Sequence, residues 1–188
     1  EAVANYIIKQ GITGGGYSTQ FGQSILKQFP TLPLRYLTLG GEKMLNAPLC
    51  DYDVYNTYGP TEFTVDATYY KLKKNRQHKN IPIGRPMSGA YALVLDQDGN
   101  LLPQGGIGSL YLYGDQIATG YINDLKQTQE RFRVCKYVNR VSYNTGDLVR
   151  WNSEGLLEYM GRNGQQGKIR GFRIEIGEIE TTIKSFPH

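Results

Sequence analysis

The sequence predicts an open parallel α/β sheet followed by a small β-barrel or distorted sheet, with a short further piece at the end. Two observations carry this. Up to about residue 60, short strand-like runs alternate with helical stripes, the order that builds parallel sheets. After about residue 63, short strand patterns follow one another between Gly- and Asp-containing turns, with a single helix among them.

Residues 1–10 read as the end of a helix, and Gly14, Gly15 and Gly16 as a loop or a very weak strand. Over 19–29, Phe21, Ile25, Leu26 and Phe29 share one helical face. A short buried strand is expected over 34–39, closed by Gly40-Gly41, then a second helix, then a strand over 54–57. Residues 64–71 and 91–95 alternate as strands, and Asp98-Gly99 is a hairpin-turn signal. Residues 109–113, 148–151 and 156–160 continue the series, with Ser153-Glu154-Gly155 as a turn and a short helix over 125–132. A last strand is expected over 169–174, then a helical stripe of Ile176, Ile179, Ile183 and Phe186. There is no internal repeat.

Composition excludes several classes. Hydrophobic residues are 39% of 188 and charged residues 20%, which rules out a disordered or fibrous chain. No apolar run approaches the roughly 18 residues of a membrane span. The net charge of +4 is mild and does not by itself imply nucleic acid. Lys71, Lys73, Lys74, Arg76 and Lys79 form the one charge run and read as a solvated loop. Two cysteines, Cys50 and Cys135, support neither a disulfide framework nor an all-cysteine zinc site and suit reduced thiols of a cytoplasmic protein. Neither nucleic acid nor membrane is expected as a partner. Without an initiator Met, and with an amphipathic stretch just before His188, both ends read as cuts through a larger protein.

Three segments carry chemistry. Asn56-Thr57-Tyr58-Gly59-Pro60-Thr61-Glu62 lies at the carboxyl end of an expected strand, where open α/β sheets bind ligands. A hydroxyl beside a carboxylate suits a phosphate with its Mg²⁺, and Tyr58 offers a face for a base. Taken alone, a structural turn accounts for this segment as well. In Tyr143-Asn144-Thr145-Gly146-Asp147-Leu148, Asp147 can accept two hydrogen bonds from a ribose diol, or simply close a Gly-Asp turn. Gly161-Arg162, then Lys168-Ile169-Arg170-Gly171-Phe172-Arg173-Ile174-Glu175, packs cations ahead of an amphipathic stretch, which suits phosphate contacts or a solvated strand.

Together and in this order, the three segments resemble the adenylation domains of nonribosomal peptide synthetases, within the adenylate-forming, AMP-binding superfamily of acyl-CoA ligases and luciferases. The likeness spans nearly the whole chain. It takes in Leu34-Arg35-Tyr36 through the Gly40-Gly41-Glu42 turn, and the Gly108-to-Tyr121 segment that ends in Gly-Tyr. Asn56 ahead of Tyr-Gly-Pro-Thr-Glu, and the run from Lys168 to Glu175, favour the amino-acid-activating branch.

The resemblance implies that residues 1–62 end a large α/β part, 63–163 form the barrel-like part, and 164–188 open a mobile C-terminal lid. It implies ATP, Mg²⁺ and the phosphopantetheine of a carrier protein domain, with the rest of the adenylation domain and other synthetase modules as further partners. An amino acid would become an aminoacyl-adenylate and pass to the carrier thiol. By resemblance, Asn56 binds the adenine edge and Tyr58 its face. Thr61 contacts the α-phosphate and Glu62 holds Mg²⁺. Asp147 binds the ribose, Tyr159 flanks the nucleotide, and Arg162 lies by ribose or phosphate. Lys168 serves thioester formation, and Gly171 admits the pantetheine arm.

The side-chain pocket is expected to include Gly15, Leu37, Leu39, Thr57, Val65 and Asp66, which together favour a small polar amino acid such as serine. The family's phosphate loop and the Asp that holds the substrate ammonium belong ahead of Glu1, and the lid's catalytic Lys belongs after His188, so the chain alone is expected to be inactive. Gly164 stands where the family has its hinge Asp, and Gly167 where it has an apolar residue. Two alternatives remain at this point: a stand-alone amino-acid:carrier ligase or acyl-CoA ligase, and a degenerate module that only binds nucleotide or a partner.

Overall fold

A computed structural model describes residues 1–74, 77–162, 166–169, 172–175 and 183, with 166–169 and 172–175 described as backbone. In chain order the elements are α1 (Ala2–Gln10), β1 (Gly14–Ser18), α2 (Thr19–Gln28), β2 (Tyr36–Gly40), β3 (Asn46–Ala47), β4 (Asp53–Tyr58) and a 3-10 turn (Thr61–Phe63). There follow β5 (Thr68–Lys71), β6 (His78–Lys79), β7 (Arg85–Pro86), β8 (Ala90–Leu95) and β9 (Gly108–Gly114). The remainder is α3 (Leu125–Arg131), β10 (Phe132–Cys135), β11 (Arg140–Trp151), β12 (Leu157–Arg162), β13 (Gln166–Ile169) and β14 (Phe172–Glu175).

The first sheet has the order β1-β2-β4-β5-β7. β1, β2 and β4 run parallel, and β5 and β7 extend the sheet antiparallel. It therefore runs past the boundary expected at residue 62. Successive strand residues face opposite sides, so Leu37 and Leu39 of β2 point together to one face. There they pack, fully buried, with Ile7 of α1 and Ile25 and Leu26 of α2. Emptying one such leucine to alanine in a core of this kind costs about 2–5 kcal/mol.

The second sheet has the order β10-β11-β9-β8, with β12 on β11. Phe63, Val94, Leu110, Leu112, Val149 and Leu157 form its core. Register shifts in β11, against β9 between Asn144 and Leu148 and against β12 between Leu148 and Val149, curl it.

Four expectations change. The strand expected over 64–71 forms only over Thr68–Lys71, because Thr64 takes φ 68° as the chain leaves the 3-10 turn. No helix forms between β2 and β4; β3 and irregular chain occupy that stretch, pinned by buried Met44 and Tyr52 while Leu45 and Leu49 are exposed. The expected strand over 148–151 is the end of the longer β11. The last strand is a hairpin, β13 antiparallel to β14. Of the helical stripe only Ile183 falls within the described residues, and it is helical.

Candidate active site

β4 delivers Asn56, Thr57 and Tyr58 to the carboxyl edge of the parallel strands. The chain then turns at Gly59, where a Cβ would come within 2.1 Å of the Val65 carbonyl, so no other residue fits. Tyr58 O accepts from Ala67 N at 2.8 Å, which closes the loop around the 3-10 turn. Asn56 Nδ2 donates to Pro82 O at 2.8 Å, which fixes the amide plane.

Asp147 arrives from the other sheet, and its presentation follows from local sequence. The register shift falls on Thr145-Gly146-Asp147, and Gly146 takes φ 74°, a conformation glycine adopts freely. Thr145 Oγ1 donates to Leu110 O and accepts from Asp147 N, each at 3.0 Å, and Asn144 Oδ1 accepts from Gly146 N at 3.0 Å. A bulge of this kind redirects the side chain that follows it. The buried Asp147 carboxylate then meets Tyr58 Oη at 2.5 Å and Arg162 Nε at 3.5 Å, while Arg162 also donates to Thr145 O at 3.2 Å. Burial first, then the Asp147 charge and its hydrogen bond, push the Tyr58 phenol well above its ordinary range. Tyr159 is raised for the same leading reason, burial, with Asp147 next. Both tyrosines are neutral donors at ordinary pH.

These groups surround one cavity of about 280 Å³, lined by Asn56, Thr57, Tyr58, Gly59, Ile83, Asp147, Tyr159 and Arg162, with Gly41, Glu42 and Lys43 at the β2 end. The structure thus brings the five expected nucleotide residues, Asn56, Tyr58, Asp147, Tyr159 and Arg162, to one place. Thr61 is exposed and Glu62 buried, one turn farther along. Glu62 Oε1 accepts from Tyr121 Oη at 2.6 Å.

A second cavity, about 360 Å³, opens on the sheet face opposite α1 and α2, lined by Tyr36, Thr38, Tyr55, Thr57, Asp66, Tyr69 and Met87. Thr57 borders both cavities. Of the residues expected to form one pocket, Thr57 and Asp66 line this cavity and the two β2 leucines do not. Leu37 and Leu39 face the helices, as does Gly15, which pairs with Leu37. Thr38 and Tyr36 are the residues that line the cavity. Val65 is 66% exposed and does not line it. Lys168 lies on β13 opposite Arg173, and Gly167 opposite Ile174. Gly164 and Gly171 lie outside the described residues. Sequence reasoning passed over Glu42 and Lys43 as lining residues, although the Gly-Gly-Glu turn was visible, and it assigned no role to Tyr121.

The family model described as AMP-binding enzyme matches residues 3–122. The chain belongs to the AMP-binding enzyme family. Among similar members, malpibaldin synthetase of Mortierella alpina is 41% identical over 177 residues, covering 88% of this chain and 3% of that protein. Bacitracin synthase 2 of Bacillus licheniformis is 49% identical over 129 residues, covering 68% of this chain and 5% of that protein. This AMP-binding chain thus spans a few per cent of such relatives. The Vibrio cholerae adenylation domain AlmE, solved in complex with glycyl-adenosine-5'-phosphate, superposes with a TM-score of 0.80 at 28% identity, over 97% of this chain and 37% of that one. An NRPS protein containing adenylation and PCP domains, bound to a vinylsulfonamide inhibitor, has the same fold at a TM-score of 0.85 and 24% identity, over 98% of this chain and 34% of that one. Among the described residues no helix is long and apolar enough to cross a membrane.

Proposed function

We propose that the chain is part of an ATP-dependent amino-acid adenylating ligase of a nonribosomal peptide synthetase, one that activates an amino acid and loads it on a carrier domain's phosphopantetheine thiol. The observation that carries this is the single cavity at the carboxyl edge of β4 where Asn56, Tyr58, Asp147, Tyr159 and Arg162 converge. Synthetase relatives and adenylation-domain neighbours support it.

In this reading Asp147 accepts from the ribose hydroxyls. The Asn56 amide nitrogen is committed to Pro82, so its carbonyl oxygen is the atom left to accept from the adenine amino group. Tyr58 and Tyr159 border the base and sugar, and Arg162 offers charge toward ribose or phosphate. Thr61 contacts the α-phosphate. The amino-acid carboxylate attacks the α-phosphorus and the bond to pyrophosphate breaks; the carrier thiol, losing its proton, then attacks the acyl carbon of the adenylate, forming the thioester as the acyl–oxygen bond breaks and AMP leaves. Such in-line chemistry depends mainly on positioning and charge stabilisation.

The donor set suits Mg²⁺. Glu62 supplies a hard carboxylate, and among the described residues no group of three His, Cys, Asp or Glu forms a protein cage. An ion held by one carboxylate plus substrate phosphates is the usual Mg²⁺ arrangement. Bound there, Mg²⁺ would neutralise charge on the phosphates. Lys168 and Gly171 keep their proposed roles in thioester formation and pantetheine approach.

The second cavity takes the amino-acid side chain. Its Thr38, Thr57 and Asp66 favour a small side chain that brings a donor, serine first and a glutamine-like amide second, because a buried acceptor left unpaired costs about 1–3 kcal/mol. Amino-acid-dependent exchange of pyrophosphate into ATP by the complete protein tests the function. Serine should support exchange best; preference for phenylalanine or leucine overturns the pocket reading, and exchange with no amino acid overturns the function.

A further inference from the structure

The segment between β9 and α3 ends in Gly120-Tyr121, and the proposed reaction gives it no task. Its geometry is nonetheless closely specified. Gly120 takes φ 146°, and a Cβ there would come within 2.5 Å of Thr128 Cγ2. The backbone can therefore lie against α3, where Tyr121 N donates to Thr128 Oγ1 at 2.8 Å. Thr128 Oγ1 in turn donates to Asp124 O at 2.8 Å. The Tyr121 ring meets Phe132 edge-on at 5.7 Å.

Seated this way, Tyr121 Oη donates to Glu62 Oε1 at 2.6 Å and lies 3.4 Å from Tyr143 Oη. Two further bonds tie the same loop to the turn that carries Glu62. Ala118 N donates to Glu62 O at 2.9 Å, and Thr64 Oγ1 donates to Gln116 O at 2.8 Å. The loop thus grips both the backbone and the side chain of one glutamate.

We propose that Tyr121 is a positioning residue for Glu62: its hydroxyl holds the carboxylate in the orientation that receives Mg²⁺ with the nucleotide. The proposal rests on the reading of Glu62 as the Mg²⁺ ligand. A glutamate side chain has three rotatable bonds, and an unheld carboxylate gives up that freedom each time an ion binds. Tyr143 also hydrogen-bonds to the same carboxylate, so two phenols hold Glu62, each donating one proton. Groups that orient a metal-binding carboxylate are typically worth about 10- to 100-fold in metal affinity.

The test compares Tyr121→Phe, Glu62→Gln and Thr64→Val in the complete protein. ATP binding is measured by calorimetry across a Mg²⁺ titration, beside the Mg²⁺ dependence of pyrophosphate exchange and the melting temperature. Tyr121→Phe keeps the ring against Phe132 and should raise the half-saturating Mg²⁺ about tenfold with the amino-acid KM unchanged, while the lost bond to a buried carboxylate lowers the melting temperature by a few degrees. If Glu62→Gln shifts the Mg²⁺ dependence and Tyr121→Phe does not, the positioning role is overturned while the Glu62 reading stands. If neither shifts it, the Glu62 reading fails and the proposal falls with it. An equal shift in Thr64→Val, where the Tyr121 hydroxyl is intact, would assign the effect to loop looseness and overturn the proposal. So would a Tyr121→Phe protein that no longer folds.

Discussion

Asp147 is held by a phenol and a guanidinium from the protein's own chain. A charge-assisted hydrogen bond of this kind contributes about 1.5–3 kcal/mol, so the carboxylate sits in one orientation. For the proposed nucleotide, Asp147→Asn should raise the ATP KM at least tenfold and leave the amino-acid KM alone. Tyr58→Phe removes one of two holding groups and should raise it about threefold to tenfold, with little change in kcat. Steady-state kinetics of pyrophosphate exchange read both, and an unchanged ATP KM in Asp147→Asn removes the ribose assignment. These residues were legible in the sequence because each sits in a short motif whose neighbours fix its backbone. Leu37 and Leu39, expected beside Thr57, face the helices instead, for a complementary reason. In a strand, a shift of one residue exchanges the two faces, and a lone strand pattern does not say which face the helices cover. Tyr121 carried a weaker signal still, since its partner Glu62 is 59 residues away.

At the scale of elements, β11 and β12 show how a hairpin is locked. Arg150 stands opposite Glu158 in the register and donates to it at 2.7 Å, while Asn152 Nδ2 donates to the other carboxylate oxygen at 3.1 Å. Burial raises the Glu158 carboxyl, but the bonds from Arg150 and Asn152 outweigh it, and the net position is below the ordinary range. A lowered folded-state value contributes stability above the unfolded glutamate value of about 4.3, and loses it as pH falls through the folded value. Glu158→Gln should therefore cost about 1 kcal/mol or less at pH 7, since the pair is partly solvated, and nothing once both states are protonated in acid. Denaturant unfolding of the complete protein at pH 7 and at successively lower pH checks this; a cost that does not shrink as pH falls would clear the ion pair of responsibility. Strands with unbroken alternation, β8 and β9, were readable in advance, as was α3. The start of β11 was hidden because Thr145-Gly146-Asp147 interrupts the period at the bulge. The helix expected ahead of β4 failed because Gly41 and Pro48 punctuate the stretch and only isolated side chains, Met44, Ala47 and Tyr52, reach the core.

For the whole molecule, the two sheets were foreseeable from the change of pattern near residue 63, but their junction was not. Local pattern does not report that β5 and β7 cross back to the first sheet. The chain covers 37% of the AlmE adenylation domain and 34% of the NRPS neighbour. Charge stabilisation that draws on several converging groups is not replaced by a subset of them. The isolated 188 residues should accordingly show no pyrophosphate exchange with any amino acid, and measurable turnover would refute this.

The bond between Tyr58 and Asp147 spans 89 positions of sequence and joins one sheet to the other. Arg162, the third member, sits at the far end of β12. The full constellation cannot assemble before β12 is in place, since Arg162 is the last residue of that strand. Loop closure over such a separation is a late and slow event in folding. A nucleotide captured at this edge would therefore favour molecules in which the two sheets have already met in register.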